Sequence, residues 1–142
     1  MITPAIKFRT ASLDESLELV GEFLRSNWGR PRLLMHFPDL EAKLKDKKGK
    51  QYEAELRRYL EGVQKIANLK ESVARFEKSW AQVNDKYMTA LSDVVETEWP
   101  ADCKNILVRV SINPICPRFL KERMFDLFYK STNERMRENS AH

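Results

Sequence analysis

The residues whose types could do chemistry here are few: two histidines, His36 and His142, two cysteines, Cys103 and Cys116, and some clustered carboxylates. A zinc ion needs three or four such side chains converging on one point. The cysteines lack Cys-x-x-Cys spacing, so a zinc ribbon is unsupported. Two are also too few for a disulfide framework and read as free thiols in a reducing compartment. His36 stands between Met35 and Phe37, just before Pro38, with no second His or Cys close in sequence. It reads as a half-buried loop histidine rather than a ligand or base. Glu96, Glu98 and Asp102 could form a carboxylate site, but their place at a helix end suits capping and solvation better. Asp126 and Glu134 flank a strand. Asp126 alternates with Phe125 and Leu127, which predicts a water-facing side chain. With four glycines in the chain, a phosphate cradle or a Gly-x-Ser-x-Gly elbow finds no place.

The elements that must position these residues follow from pattern. Length of 142 residues and a hydrophobic share of 42% fit one globular domain. No apolar run approaches the ~20 residues of a membrane span, and no secretory signal opens the chain. The reading is therefore cytoplasmic and without a membrane. The net charge of +4 comes from Lys and Arg interspersed with Glu. Together with the lack of any nucleic-acid motif, this argues against nucleic-acid binding. Lys43, Lys45, Lys47, Lys48 and Lys50 around Gly49 read as a solvated turn.

Ile6 and Phe8 alternate with Lys7 and Arg9 in a short N-terminal strand. Ser12-Leu-Asp-Glu15 is a capping box for a helix carrying Leu13, Leu17, Val20 and Leu24, ending near Asn27. Trp28 to Pro38 reads as a connecting segment, and Asp39 caps a short helix from Leu40 to about Lys47. From Gln51 to about Glu98 every cue is helical. Tyr52, Tyr59, Ile66, Val73, Trp80, Tyr87 and Val94 recur at heptad spacing, a helix-packing seam. One straight helix would be on the order of 70 Å long, against a radius of gyration of about 15 Å for a domain of this size. The expectation is a helical pair, or a kink near residues 62–70, where Gly62 and Asn68 are poor helix formers. Pro100 ends the run at Trp99. Ile106, Val108, Val110 and Ile112 alternate with Leu107, Arg109 and Ser111 in the most regular strand. A loop with two prolines follows, then a second strand, Phe125 to Tyr129. Ser131-Thr-Asn-Glu134 is a second capping box, opening a helix with no stop signal before His142. Only Met136 and Ala141 are apolar after Ser131, which predicts a loosely docked, truncated helix.

The runs Asn113-Pro-Ile-Cys-Pro-Arg-Phe-Leu-Lys121, Phe125-Asp-Leu-Phe-Tyr-Lys130 and Met136-Arg-Glu-Asn-Ser-Ala-His142 carry a resemblance. The stretch 104–142 resembles the approach to the HExxH motif in bacterial zinc metallopeptidase-like proteins of the zincin kind. In that class a sheet with an antiparallel edge strand leads into the active-site helix. The resemblance makes His142 the first motif histidine and the only metal ligand this chain would supply. It implies zinc in a longer protein and a peptide or protein substrate. The motif sets two histidines one helical turn apart on Zn²⁺, with a Glu as general base. Neither the Glu nor a second motif His is present, so the 142 residues are expected to bind no cofactor and to catalyse nothing.

The expected class is α+β, as one domain of residues 1–142 that is incomplete at its C-terminus. Residues 1–99 would be mainly helical, with a long helix or helical hairpin. Residues 104–142 would hold a small, mostly antiparallel sheet and the truncated helix. The function expected is the N-terminal part of a zinc metallopeptidase-like protein, with Phe125–Tyr129 as the sheet edge receiving an extended peptide. The alternative is a non-enzymatic interaction module that meets a partner helix, or another copy, through the Tyr52–Val94 seam.

Overall fold

A computed structural model describes residues 3–141. In chain order these hold β1 (Ala5–Thr10), α1 (Leu13–Leu24), α2 (Gly29–His36), α3 (Leu40–Leu44), α4 (Gly49–Ala67), α5 (Leu69–Ala81) and α6 (Asn84–Val95), then β2 (Asn105–Ser111), β3 (Arg118–Phe119), β4 (Met124–Phe128) and α7 (Asn133–Ala141). The class is α+β, with helices α1 to α6 between β1 and β2 of a small sheet and one helix after its last strand. Among the described residues, no helix is long and apolar enough to cross a membrane.

The sheet runs in the order β1-β2-β4-β3. β1 pairs parallel with β2 and β2 parallel with β4, and only the β3–β4 pair is antiparallel. This corrects the mostly antiparallel expectation, and the connections give the reason. Parallel neighbours need a long crossover. The helices α1 to α6 form one between β1 and β2. The segment from Ile112 to Arg123 carries the chain past β4's place to the edge and back, depositing β3 there. The strand at Met124–Phe128 is therefore internal, not the edge, and β3 is the edge instead.

Both faces of the sheet are covered at its centre. On one, Ile6, Phe8, Val108, Val110 and Leu127 are buried, and Phe76 of α5 packs on Phe8 with ring centroids 6.2 Å apart. On the other, Arg109, Ser111 and Asp126 are buried under the start of α1.

The long helical run breaks twice. Asn68 takes the left-handed conformation (φ 47°) between α4 and α5 and donates to Glu71 at 2.8 Å. Asn tolerates that geometry better than most residues. Gly62 stays inside α4 without interrupting it. The second break, at Gln82–Val83, is tied to the sheet. Asn84 Oδ1 accepts from Ile6 N–H (3.2 Å) and Trp80 Nε1 (2.7 Å), while its Nδ2 donates to the Pro4 carbonyl (3.0 Å). The heptad seam is thus not one surface. Trp80 is buried, Tyr52, Tyr59, Val73 and Tyr87 pack against the chain's own core, and Ile66 and Val94 point outward.

Other local expectations are met or shifted. Ser12 and Glu15 form the capping box of α1. Residues 29–36 form a helix where a connecting segment was expected. Asp39 has φ 68° and makes no side-chain cap to α3. Thr132, not Ser131, caps α7, through Arg135 N–H to Oγ1 at 3.1 Å.

The helix α7 is docked, against expectation. Met136 is fully buried. Arg137 donates to the Ser79 carbonyl (2.9 Å) and Gln82 (3.1 Å). Arg75 donates to Asn133 (2.9 Å) and to the Ser131 carbonyl (3.1 Å). Two arginines from and toward α5 thus supply the anchoring that the apolar content of α7 lacks.

Candidate functional site

Beneath the outer edge of the sheet, α6, the turn after it, the β3–β4 hairpin and the last turn of α7 enclose a cleft of about 370 Å³. Met88 and Leu91 of α6, Trp99, Cys103, Ile106 and Phe125 give it apolar walls. Arg118, Leu120 and Arg123 stand at its mouth, and Ser140 and Ala141 close one end. Each wall has a local cause. Trp99 is thrown back on α6 where Pro100 prevents helix, and its Nε1 donates to the Met88 carbonyl at 3.0 Å. Tyr87 donates its hydroxyl to the Ala141 carbonyl, joining α6 to the end of α7. Arg123 has φ 50° and turns the hairpin, and its side chain reaches Asp102 at 3.2 Å. Phe125 lies opposite Arg118 in the antiparallel pair, so both face the cleft. Phe119, one residue on, faces the other way and lies under the Arg109 guanidinium, 5.0 Å from its ring centroid.

That other face carries a row of charge. Arg9, Arg109 and Asp126 lie side by side across β1, β2 and β4. Arg109 Nε and Nη2 donate to Asp126 at 2.7 and 3.2 Å, and Nη1 donates to Glu15 at 2.8 Å. Arg9 grips Glu15 with two bonds of 2.7 and 2.8 Å. Asp126 is 2% exposed, which corrects the water-facing expectation. Asp126 does alternate with Phe125 and Leu127, but the face it turns to is roofed by α1. The cluster is a clamp between α1 and the sheet, in which Arg9, Glu15, Arg109 and Asp126 are all paired.

Arg9 above all, then the Ser12 N–H and Arg109, holds the Glu15 carboxyl far below the usual range. A carboxylate with a depressed folded pKa stabilises the fold above its unfolded value, near 4.3. That contribution is lost as the pH falls below it. Burial pushes Asp126 up against the pull of Arg109, so its protonation acts in the opposite sense. Glu15→Gln is therefore expected to flatten the loss of stability on acidification without removing every pH effect. Urea midpoints of both chains between pH 7 and pH 3 check this.

The other residues singled out in the sequence do not come together. His36 ends α2, is exposed, and meets Phe128 edge-on at 5.8 Å. This corrects the half-buried loop histidine expected, because residues 29–36 coil into a helix that leaves the ring at the surface. Glu96, Glu98 and Glu134 are exposed, and Asp102 pairs with Arg123. Cys103 lines the cleft and Cys116 lies in the loop before β3. Burial pushes the Cys116 thiol up to about 11. Since the thiolate is the reactive form, Cys116 is expected to alkylate far more slowly at pH 8 in the folded chain than in urea. Mass spectrometry after iodoacetamide reads the difference. His142 lies outside the described residues. Among those described, no group of three His, Cys, Asp or Glu could hold a metal ion. His36, Cys103 and Cys116 lie apart in different elements, so among the described residues no ligand set converges on one point.

Sequence reasoning missed the cleft, whose walls come from distant segments with no shared motif. The clamp left a trace, because Arg109 interrupts an apolar strand between Val108 and Val110. Comparison of the chain with known protein families, curated proteins and solved structures finds no match.

Proposed function

We propose that this chain supplies the sheet and substrate-side wall of a zinc metallopeptidase-like protein, and that peptide hydrolysis is not a property of these 142 residues alone. The observation that carries the reading is the edge of the sheet. Parallel strands end on one antiparallel edge strand, β3, and the next strand, β4, runs directly into α7. That is the order expected from the resemblance of residues 104–142 to the approach to HExxH. The edge has moved from β4 to β3, but an extended peptide could still add there through main-chain hydrogen bonds.

The missing chemistry supports inactivity of the chain by itself. The sequence holds two histidines and no His-Glu-x-x-His. A cytoplasmic location belongs to the same reading, supported by two free cysteines. The interaction-module alternative gains less support, because most of the Tyr52–Val94 seam packs inward.

Two measurements test the proposal. Reading the coding sequence past the codon for His142 is expected to give Glu-x-x-His, and any other sequence there counts against the peptidase reading. Incubating the chain with zinc and a peptide library is expected to give no cleavage. Turnover abolished by a chelator would overturn the claim that the chain alone is inactive.

A further inference from the structure

We infer that the cleft beneath β3 selects one bulky apolar side chain of an extended peptide that carries an acidic residue beside it. The inference rests on the peptide-presenting reading above and adds what is presented. Strand geometry supplies the alignment. The Pro117 carbonyl accepts from Asp126 N–H at 2.9 Å, so it turns toward β4. By alternation the N–H and C=O of Arg118 turn outward. A peptide paired there continues the pleat of the sheet, and every second side chain falls on the face of Arg118 and Phe125, where the cleft opens.

Shape and charge then narrow the occupant. At about 370 Å³, the cleft lies near the lower end of ligand-pocket sizes, about 300–1,000 Å³. Its walls of Met88, Leu91, Trp99 and Phe125 offer apolar contact and an aromatic surface. No Asp or Glu lines it. Arg123 is engaged by Asp102, whereas Arg118 makes no ion pair among the described residues. An uncompensated guanidinium at the rim of an apolar pocket favours a carboxylate next to the inserted side chain and disfavours a lysine there.

The test uses the 142-residue chain and blocked, extended, tryptophan-free hexapeptides, read by the change in intrinsic tryptophan fluorescence. One position is Phe, Leu or Ala, and its neighbour is Glu or Lys. Peptides with Phe or Leu are expected to bind at least about tenfold more tightly than the Ala peptide, as burial of a large apolar side chain implies. Glu is expected to be preferred over Lys, and Arg118→Glu, at an exposed position, is expected to reverse that preference. Leu91→Trp, which fills the cleft, is expected to erase the preference for Phe over Ala. Binding that ignores side-chain size, or a Glu preference untouched by Arg118→Glu, overturns the pocket and leaves strand pairing standing. Failure of every peptide to bind overturns the peptide-presenting reading itself.

Discussion

Asp126→Ala is expected to destabilise the fold by about 3–5 kcal/mol, the usual cost of removing one partner from a buried ion pair. Arg109 is 8% exposed and has committed two of its donors to Asp126. Without that carboxylate its charge stays buried, with Glu15 as its remaining acid. Since domains of this size are stable by about 5–15 kcal/mol, the variant should unfold at a much lower urea concentration. The control is the double replacement Arg109→Met with Asp126→Leu. Removing both charges leaves nothing uncompensated, so it should cost far less than Asp126→Ala alone. A single-variant cost below about 1 kcal/mol would match an exposed pair and would contradict the packing of α1 over this face.

Met136→Ala is expected to cost about 2–5 kcal/mol, in the range for a fully buried methionine. Met136 is the one buried side chain of α7. The polar anchors from Arg75 and Arg137 remain in the variant, but they are partly exposed and weaker. The expected pattern is a lower unfolding midpoint together with faster amide exchange in residues 133–141. Because Ser140 and Ala141 close the cleft, the same variant should also weaken peptide binding. Ordinary exchange protection in α7 with unchanged stability would mean that the helix is held by its arginines alone.

Much of this fold was legible because local rules and tertiary structure agree. The Ser12–Glu15 capping box, the alternating apolar residues of β2 and the break at Asn68 all follow from their own neighbourhoods. Strand direction was not legible, since it depends on how long connections close in space. Asp126 shows the same limit at the level of one side chain. Alternation sets it opposite Leu127, but only the position of α1 decides whether that side is wet. The second helix break lay hidden because its cause is Asn84 reaching back to Pro4 and Ile6. Docking of α7 was underestimated for a related reason. Its apolar content is low, and its main polar anchor, Arg75, lies on another helix. The cleft was the least readable feature, since Met88, Trp99, Phe125 and Ala141 meet only once the hairpin has turned at Arg123.

The outer edge of β3 is proposed to receive an extended peptide above the cleft. Titrating the ¹⁵N-labelled chain with the Phe–Glu peptide and following the amide resonances tests it most directly. The account predicts shifts concentrated at Arg118, Phe119 and Leu120, with the Trp99 indole N–H and the end of α7 moving alongside. Shifts confined to α4 and α6 around Ile66 and Val94, with β3 unmoved, would contradict it.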